Sequence, residues 1–141
     1  MEFVSFELAK KLKEKGYPQH IADDAYITDN YGEDEYNIGD RLPIPIIPDY
    51  MDDVSAPTIS QVLKWLREEK DIHIEPCILA DADTDADGKV INEYTYWSFS
   101  IYSIETGDMI YFEYEHIDDK RFNSYEQAAI AGIEYVLDNL I

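Results

Sequence analysis

Apolar residues recur at four-residue spacing from Val4 through Leu8 to Leu12, which is one face of an α-helix. Ser5 can cap that helix, the lysines near its end suit the dipole, and Gly16 supplies a left-handed stop, so a helix over Ser5 to Lys15 is predicted. About eleven residues are marginal alone, so it must pack on another element. The next clear period is Ile59, Val62, Leu63 and Leu66, flanked by Trp65, after Ser55 or Thr58 as cap and Pro57 at the first turn. Lys64, Arg67 and Glu68 fall on the opposite side, as in an amphipathic helix ending near Lys70-Asp71. A third helix is predicted from Ser124 to about Leu140. Ser124 and Gln127 form a capping box, and Tyr125, Ala129, Ile133, Val136, Leu137 and Leu140 form the stripe. Ala128, Ala131 and Gly132 there allow close approach.

Between the second and third helices the period changes to two. Ile72 and Ile74 alternate with His73 and Glu75, and Pro76 marks an edge or bulged strand. DADTDADG reads as a turn, INEYTYWSFSIYSI as a second strand, and ETGD as a hairpin turn into MIYFEYEHI. On the second strand Trp97, Phe99 and Ile101 are the expected core side, with Tyr94, Tyr96, Ser98 and Ser100 facing the other way. Tyr17 to Asp53 shows no helical repeat, and Pro43, Pro45 and Pro48 make LPIPIIP an extended or edge segment. A short hairpin around Tyr31-Gly32 is the local alternative. The expected fold is a single α+β domain over residues 1–141. In it, an antiparallel sheet of three or more strands packs against about three helices, and a long acidic irregular segment separates helices one and two.

The length of 141 residues suffices for one core, and no run of apolar residues is long enough to span a membrane. The N-terminus lacks the pattern of a signal peptide, and a single cysteine, Cys77, fits a reducing compartment, so a cytoplasmic setting is expected. Acidic side chains number 31 against 11 basic ones, for a formal charge of −20. That charge opposes direct attachment to nucleic acid or to anionic lipid and favours a basic protein partner. The acids are uneven: ten fall between Asp23 and Asp53 against one base, Arg41, and six between Glu75 and Glu93 against Lys89 alone.

Asp83, Asp85, Asp87, Gly88 and Val90 match the first, third, fifth, sixth and eighth positions of a calcium loop. The twelfth position, which should carry the bidentate acid, is Tyr94, with Glu93 one place early. Asp83, Asp85, Asp87 and Glu93 are therefore the candidate ligands for weak calcium binding, and no other cofactor is expected. His20, His73 and His116 show no ligand spacing, and Cys77 has no sequence neighbour marking it as a nucleophile. Glycine-rich phosphate loops, HExxH and GxSxG are absent, so catalysis is not expected. Gln61, Lys64 and Arg67 on the outer face of the second helix would suit a winged-helix reader of DNA, but the net charge and the long segment before that helix oppose it.

The twelve tyrosines supply rigid amphipathic side chains suited to recognition. The expected interaction surface combines the acids Asp23, Asp24, Glu33, Asp34 and Glu35 with Tyr94, Tyr96 and Tyr102 on one strand face. Three segments, SFELAKKLKEKGY, APTISQVLKWLREEKDIHI and SYEQAAIAGIEYVLDNLI, resemble small uncharacterised proteins of gut Bacteroidetes and of their phages or mobile elements. The resemblance implies a cytoplasmic accessory role and transfers no site residue. The leading expectation is a noncatalytic protein-interaction domain. The alternatives are an acidic nucleic-acid mimic that occupies a basic DNA- or RNA-binding protein, and a calcium-binding domain.

Overall fold

A computed structural model describes residues 2–19, 24–27, 44–45, 53–113 and 121–141, with the backbone alone for 24–27, 44–45 and 53. Its elements in chain order are α1 (Phe6–Glu14), β1 (Asp24–Ile27), β2 (Ile44–Pro45), β3 (Asp53–Ser55), α2 (Ile59–Glu69), β4 (Ile72–Thr84), β5 (Val90–Ser103), β6 (Met109–Phe112) and α3 (Tyr125–Asn139). The fold is α+β, with helices and antiparallel sheets. The described chain divides into two compact units, Met1–Trp65 with Glu134–Ile141, and Leu66–Ile133. No helix among the described residues is long and apolar enough to cross a membrane.

In the first unit, α1 begins as its sequence predicts. The Ser5 hydroxyl accepts the Leu8 N–H at 3.2 Å, and Gly16 takes φ +91° just past the last turn. Its stripe of Val4, Leu8 and Leu12 is fully buried, as are Val62, Val136 and Leu137. The Lys11 ammonium lies 3.2 Å from the Asp138 carboxylate, and Lys15 donates to the Ile141 carbonyl. The start of α2 is set by Thr58. Its hydroxyl accepts from Gln61 N–H while the Gln61 side chain accepts from Thr58 N–H, a reciprocal cap.

Part of the stretch read as irregular is in fact a small sheet ordered β2-β1-β3, with Ala25 opposite both Ile44 and Ser55. Strands of two to four residues carry too little alternation to be visible as a period. Pro45 sits on an outer strand of that sheet, where a missing donor is tolerated. The hairpin expected at Tyr31-Gly32 lies outside the described residues.

In the second unit, β4 and β5 form a long antiparallel hairpin, paired without interruption from Ile72↔Ser103 to Asp83↔Asn92, with β6 on the far side of β5. Pro76 produces no bulge; it pairs in register with Phe99. The acidic turn is shorter than expected, because residues 81–84 belong to β4 and the chain reverses over 85–88. Cross-strand partners share a face and neighbours alternate. One face therefore carries Ile74, Pro76, Ile78, Ala80 and Ala82 with Ile101, Phe99, Trp97, Thr95 and Glu93. Helix α3 lies on it: a Cβ on Gly132 would stand 2.6 Å from Ile74 Cγ2, and the Tyr125 ring sits 5.8 Å from that of Trp97.

Candidate functional site

The opposite face of the hairpin carries the expected tyrosines, because Tyr94, Tyr96 and Tyr102 pair with Asp81, Leu79 and His73. They do not form an open row. Arg121 enters from the segment in which Phe122 bridges Trp97, and its guanidinium carbon lies 4.7 Å from the Tyr94 ring centre and 5.5 Å from that of Tyr96. The same guanidinium is 3.9 Å from Asp81 Oδ2, to which the Tyr94 hydroxyl also donates. Cation–π and ion-pair contacts thus occupy these two rings from within the chain. Tyr102 packs instead near the His73 ring, at 6.5 Å.

Toward β6 this tyrosine face is covered. Ser98 and Ser100 are buried, and the Ser98 hydroxyl donates to the Glu113 carbonyl at 2.8 Å. Glu113 itself is only 4% exposed, and the Tyr111 hydroxyl donates to its carboxylate. The side of the sheet opposite α3 is therefore buried at Ser98 and Ser100 and is not open along its whole length. Glu113 carries no pattern in sequence that distinguishes it from the chain's other acids.

His73, Glu75 and Cys77 follow one another along the tyrosine face. His73 Nε2 is 2.6 Å from Glu75 Oε2, so the carboxylate, not the thiol, is the imidazole's partner. Burial pushes the Cys77 thiol up, and the neighbouring Glu75 charge pushes it further. Both effects disfavour the thiolate, the reverse of what activates a cysteine nucleophile. His20 and His116 lie outside the described residues.

The calcium-loop residues sit on a β-hairpin end. Asp85 Oδ1 accepts the N–H groups of Asp87 and Lys89, each at 2.9 Å, and Gly88 takes φ +82° to close the turn. Asp83 pairs with Asn92 and Glu93 with Ala82, so their side chains point to opposite faces of the ribbon. Among the described residues no three His, Cys, Asp or Glu side chains are grouped to hold a metal ion. Of the acidic interaction residues, Asp24 opens β1 opposite Pro45, while Asp23, Glu33, Asp34 and Glu35 lie outside the described residues.

What sequence reasoning missed is the helix face beyond Trp97. There Ile78 is 59% exposed and Val90, opposite Thr84, is 55% exposed; Ile91, the extra residue in the bulge beside them, is 68% exposed. Ala80, Ala82, Thr95 and Glu93, with Asp81 and Tyr94 between them, line a shallow concavity of about 670 Å³. Its surroundings are acidic, since five carboxylates and one lysine lie between Asp81 and Glu93. The signal was present as alternation through Ala80, Asp81, Ala82 and Asp83, but nothing in that string says where α3 stops covering the sheet. Comparison of the chain with protein-family models, with curated proteins and with solved structures finds no match.

Proposed function

We propose that this protein is a noncatalytic interaction domain whose recognition element is the distal half of the β4–β5 hairpin, and that its partner is a protein with a basic surface. The observation that carries this reading is the exposure of Ile78, Val90 and Ile91 on an arm whose end is strongly acidic. Isolated exposed aliphatics are ordinary, but three along the distal half of one ribbon, with Ala80 and Ala82 between Ile78 and the Val90–Ile91 pair, offer apolar surface that association would bury. The carboxylates around it speed encounter with a cationic partner and disfavour a second copy of the same −20 chain. A cytoplasmic accessory role, as the resemblance to proteins of bacterial mobile elements implies, belongs to the same proposal.

The test is a nuclease-treated pull-down from cells of the source organism, comparing the native chain with an Ile78→Ser/Val90→Ser variant. A partner enriched by the native chain and lost with the variant supports the reading. Equal enrichment by both, or none above a control of matched charge, sinks it. A captured partner that binds DNA or RNA would assign the arm to nucleic-acid mimicry.

A further inference from the structure

We infer that the helix face of the distal ribbon receives an amphipathic, lysine- or arginine-bearing helix of the partner, and not a strand added along the β4 edge. The inference rests on the arm being the recognition element, and it names what the arm takes.

Along Pro76 to Ala82 the β4 edge is weakened as a ladder by its own residues. Trp97 N–H donates to the Phe122 carbonyl and Trp97 C=O accepts from Phe122 N–H, while Phe99 C=O accepts from Glu113 N–H. The backbone groups of Trp97 and Phe99 thus point away from β4. Those of their partners, Ile78 and Pro76, must then point to the outer edge, as must those of Ala80 and Ala82 by alternation. Pro76 has no N–H to offer, and the Ala82 N–H is held by Asp81 Oδ1 at 2.8 Å. Of the four outward positions between Pro76 and Ala82, only Ile78 and Ala80 keep an N–H to offer, which weakens this stretch as a template for an added strand. A proline and a charged residue placed this way are the usual protection of an edge.

The face is built differently. It continues the surface on which α3 already packs through Gly132, Ile74 and Phe99. Beyond Trp97 its floor is Ala80, Ala82 and Thr95, small enough for a helix to approach, between the aliphatic side chains of Ile78 and Val90. Glu93 on the face and Asp83, Asp85 and Asp87 at the end of the arm set the sign of the occupant's flanking charges, Asp81 being paired with Arg121. A helix with an apolar stripe and cationic margins meets both conditions, in the groove mode of recognition.

Two synthetic peptides of identical leucine and lysine content serve as probes. One has leucines at helical spacing, and the other strictly alternates and forms strands. Binding is measured by titration calorimetry at 150 mM salt to the native chain and to Ala80→Lys and Asn92→Lys. These two variants change charge equally at exposed sites on opposite faces of the ribbon. The expected result is binding of the helical peptide at least ~10-fold tighter than the alternating one, weakened ~10-fold by Ala80→Lys and less than ~3-fold by Asn92→Lys. Preference for the alternating peptide, or equal weakening by both variants, overturns the helix inference while leaving the arm as the binding element. No binding of either peptide to the native chain overturns the inference together with its charge argument; the arm itself is then judged by the Ile78→Ser/Val90→Ser comparison.

Discussion

Gly132 of α3 lies so close to β4 that a Cβ on it would stand 2.6 Å from Ile74 Cγ2, with Phe99 Cδ2 at 3.3 Å. Helix and sheet meet closely here, and both neighbours are themselves buried. In an exposed helix, alanine in place of glycine would stabilise by about 1 kcal/mol. Here overpacking wins, and Gly132→Ala is expected to cost a net ~1–2 kcal/mol. Removing the obstructing methyl with Ile74→Ala should make the double variant less unstable than the sum of the two singles. Urea unfolding of the four proteins measures that coupling, expected above ~0.5 kcal/mol; strict additivity would mean the close approach relaxes without cost.

Asp71 holds the start of β4 to the turn after β5. It takes φ +59°, and its carboxylate accepts from the Ser103 hydroxyl at 2.9 Å and from Glu105 N–H at 2.8 Å. Loss should follow the order Asp71→Asn least, Asp71→Gly intermediate and Asp71→Ala most. Asparagine keeps an acceptor and tolerates the left-handed region, glycine removes only the hydrogen bonds, and alanine adds strain. About 1–3 kcal/mol is expected for alanine. Equal stability for glycine and alanine in thermal melts would contradict the role of the backbone conformation.

Because burial and Glu75 both raise the Cys77 thiol, the folded protein holds that proton to higher pH than the unfolded chain does. Its contribution to stability is complete below the unfolded thiol's ordinary value and is lost as pH rises through the folded value. Iodoacetamide at pH 8 should therefore modify Cys77 more slowly than it modifies the urea-unfolded chain. Glu75→Gln should speed the reaction in the folded state, by about twofold or more if the charge matters as the geometry implies. A folded thiol faster than the unfolded one would show an activating group near Cys77.

Calcium is expected to leave the melting temperature where magnesium-free salt of equal ionic strength leaves it. Asp83 and Glu93 point to opposite faces, and Asp85 is engaged by the turn's own N–H groups. A site filled at one hundred times its dissociation constant would add about 2.7 kcal/mol, a shift easily seen in a melt. A calcium-specific rise abolished by Asp83→Asn/Asp87→Asn would support the calcium-binding alternative.

Ile78→Ser and Val90→Ser should each change stability by no more than about 0.5 kcal/mol, since both side chains are largely in water. Ile74→Ser, four residues before Ile78 on the same face but beneath α3, should cost several times more. A large loss at Ile78 in urea titration would show that the distal face is packed within the chain.

The three helices were legible because each stripe is long enough to show its period and each start carries a cap that the structure uses: Ser5, Thr58 and Ser124 accept from Leu8, Gln61 and Gln127. Phe99 and Ile101 were legible as core for the same reason, at period two. The sheet ordered β2-β1-β3 was not, because two- to four-residue strands become a sheet only through partners distant in the chain. The calcium-loop spacing was visible, yet ligand geometry depends on the turn type and on which side of a strand each acid falls.

Local order along the chain thus determined the helices, the long hairpin and its alternation, because each depends on the spacing of near neighbours. Only the tertiary structure decided which part of the alternating surface α3 covers, which tyrosines Arg121 occupies, and that Ser98 and Glu113 are buried. Those outcomes depend on contacts between residues far apart in sequence, and the hairpin's code reads the same at covered Ile74 as at exposed Ile78.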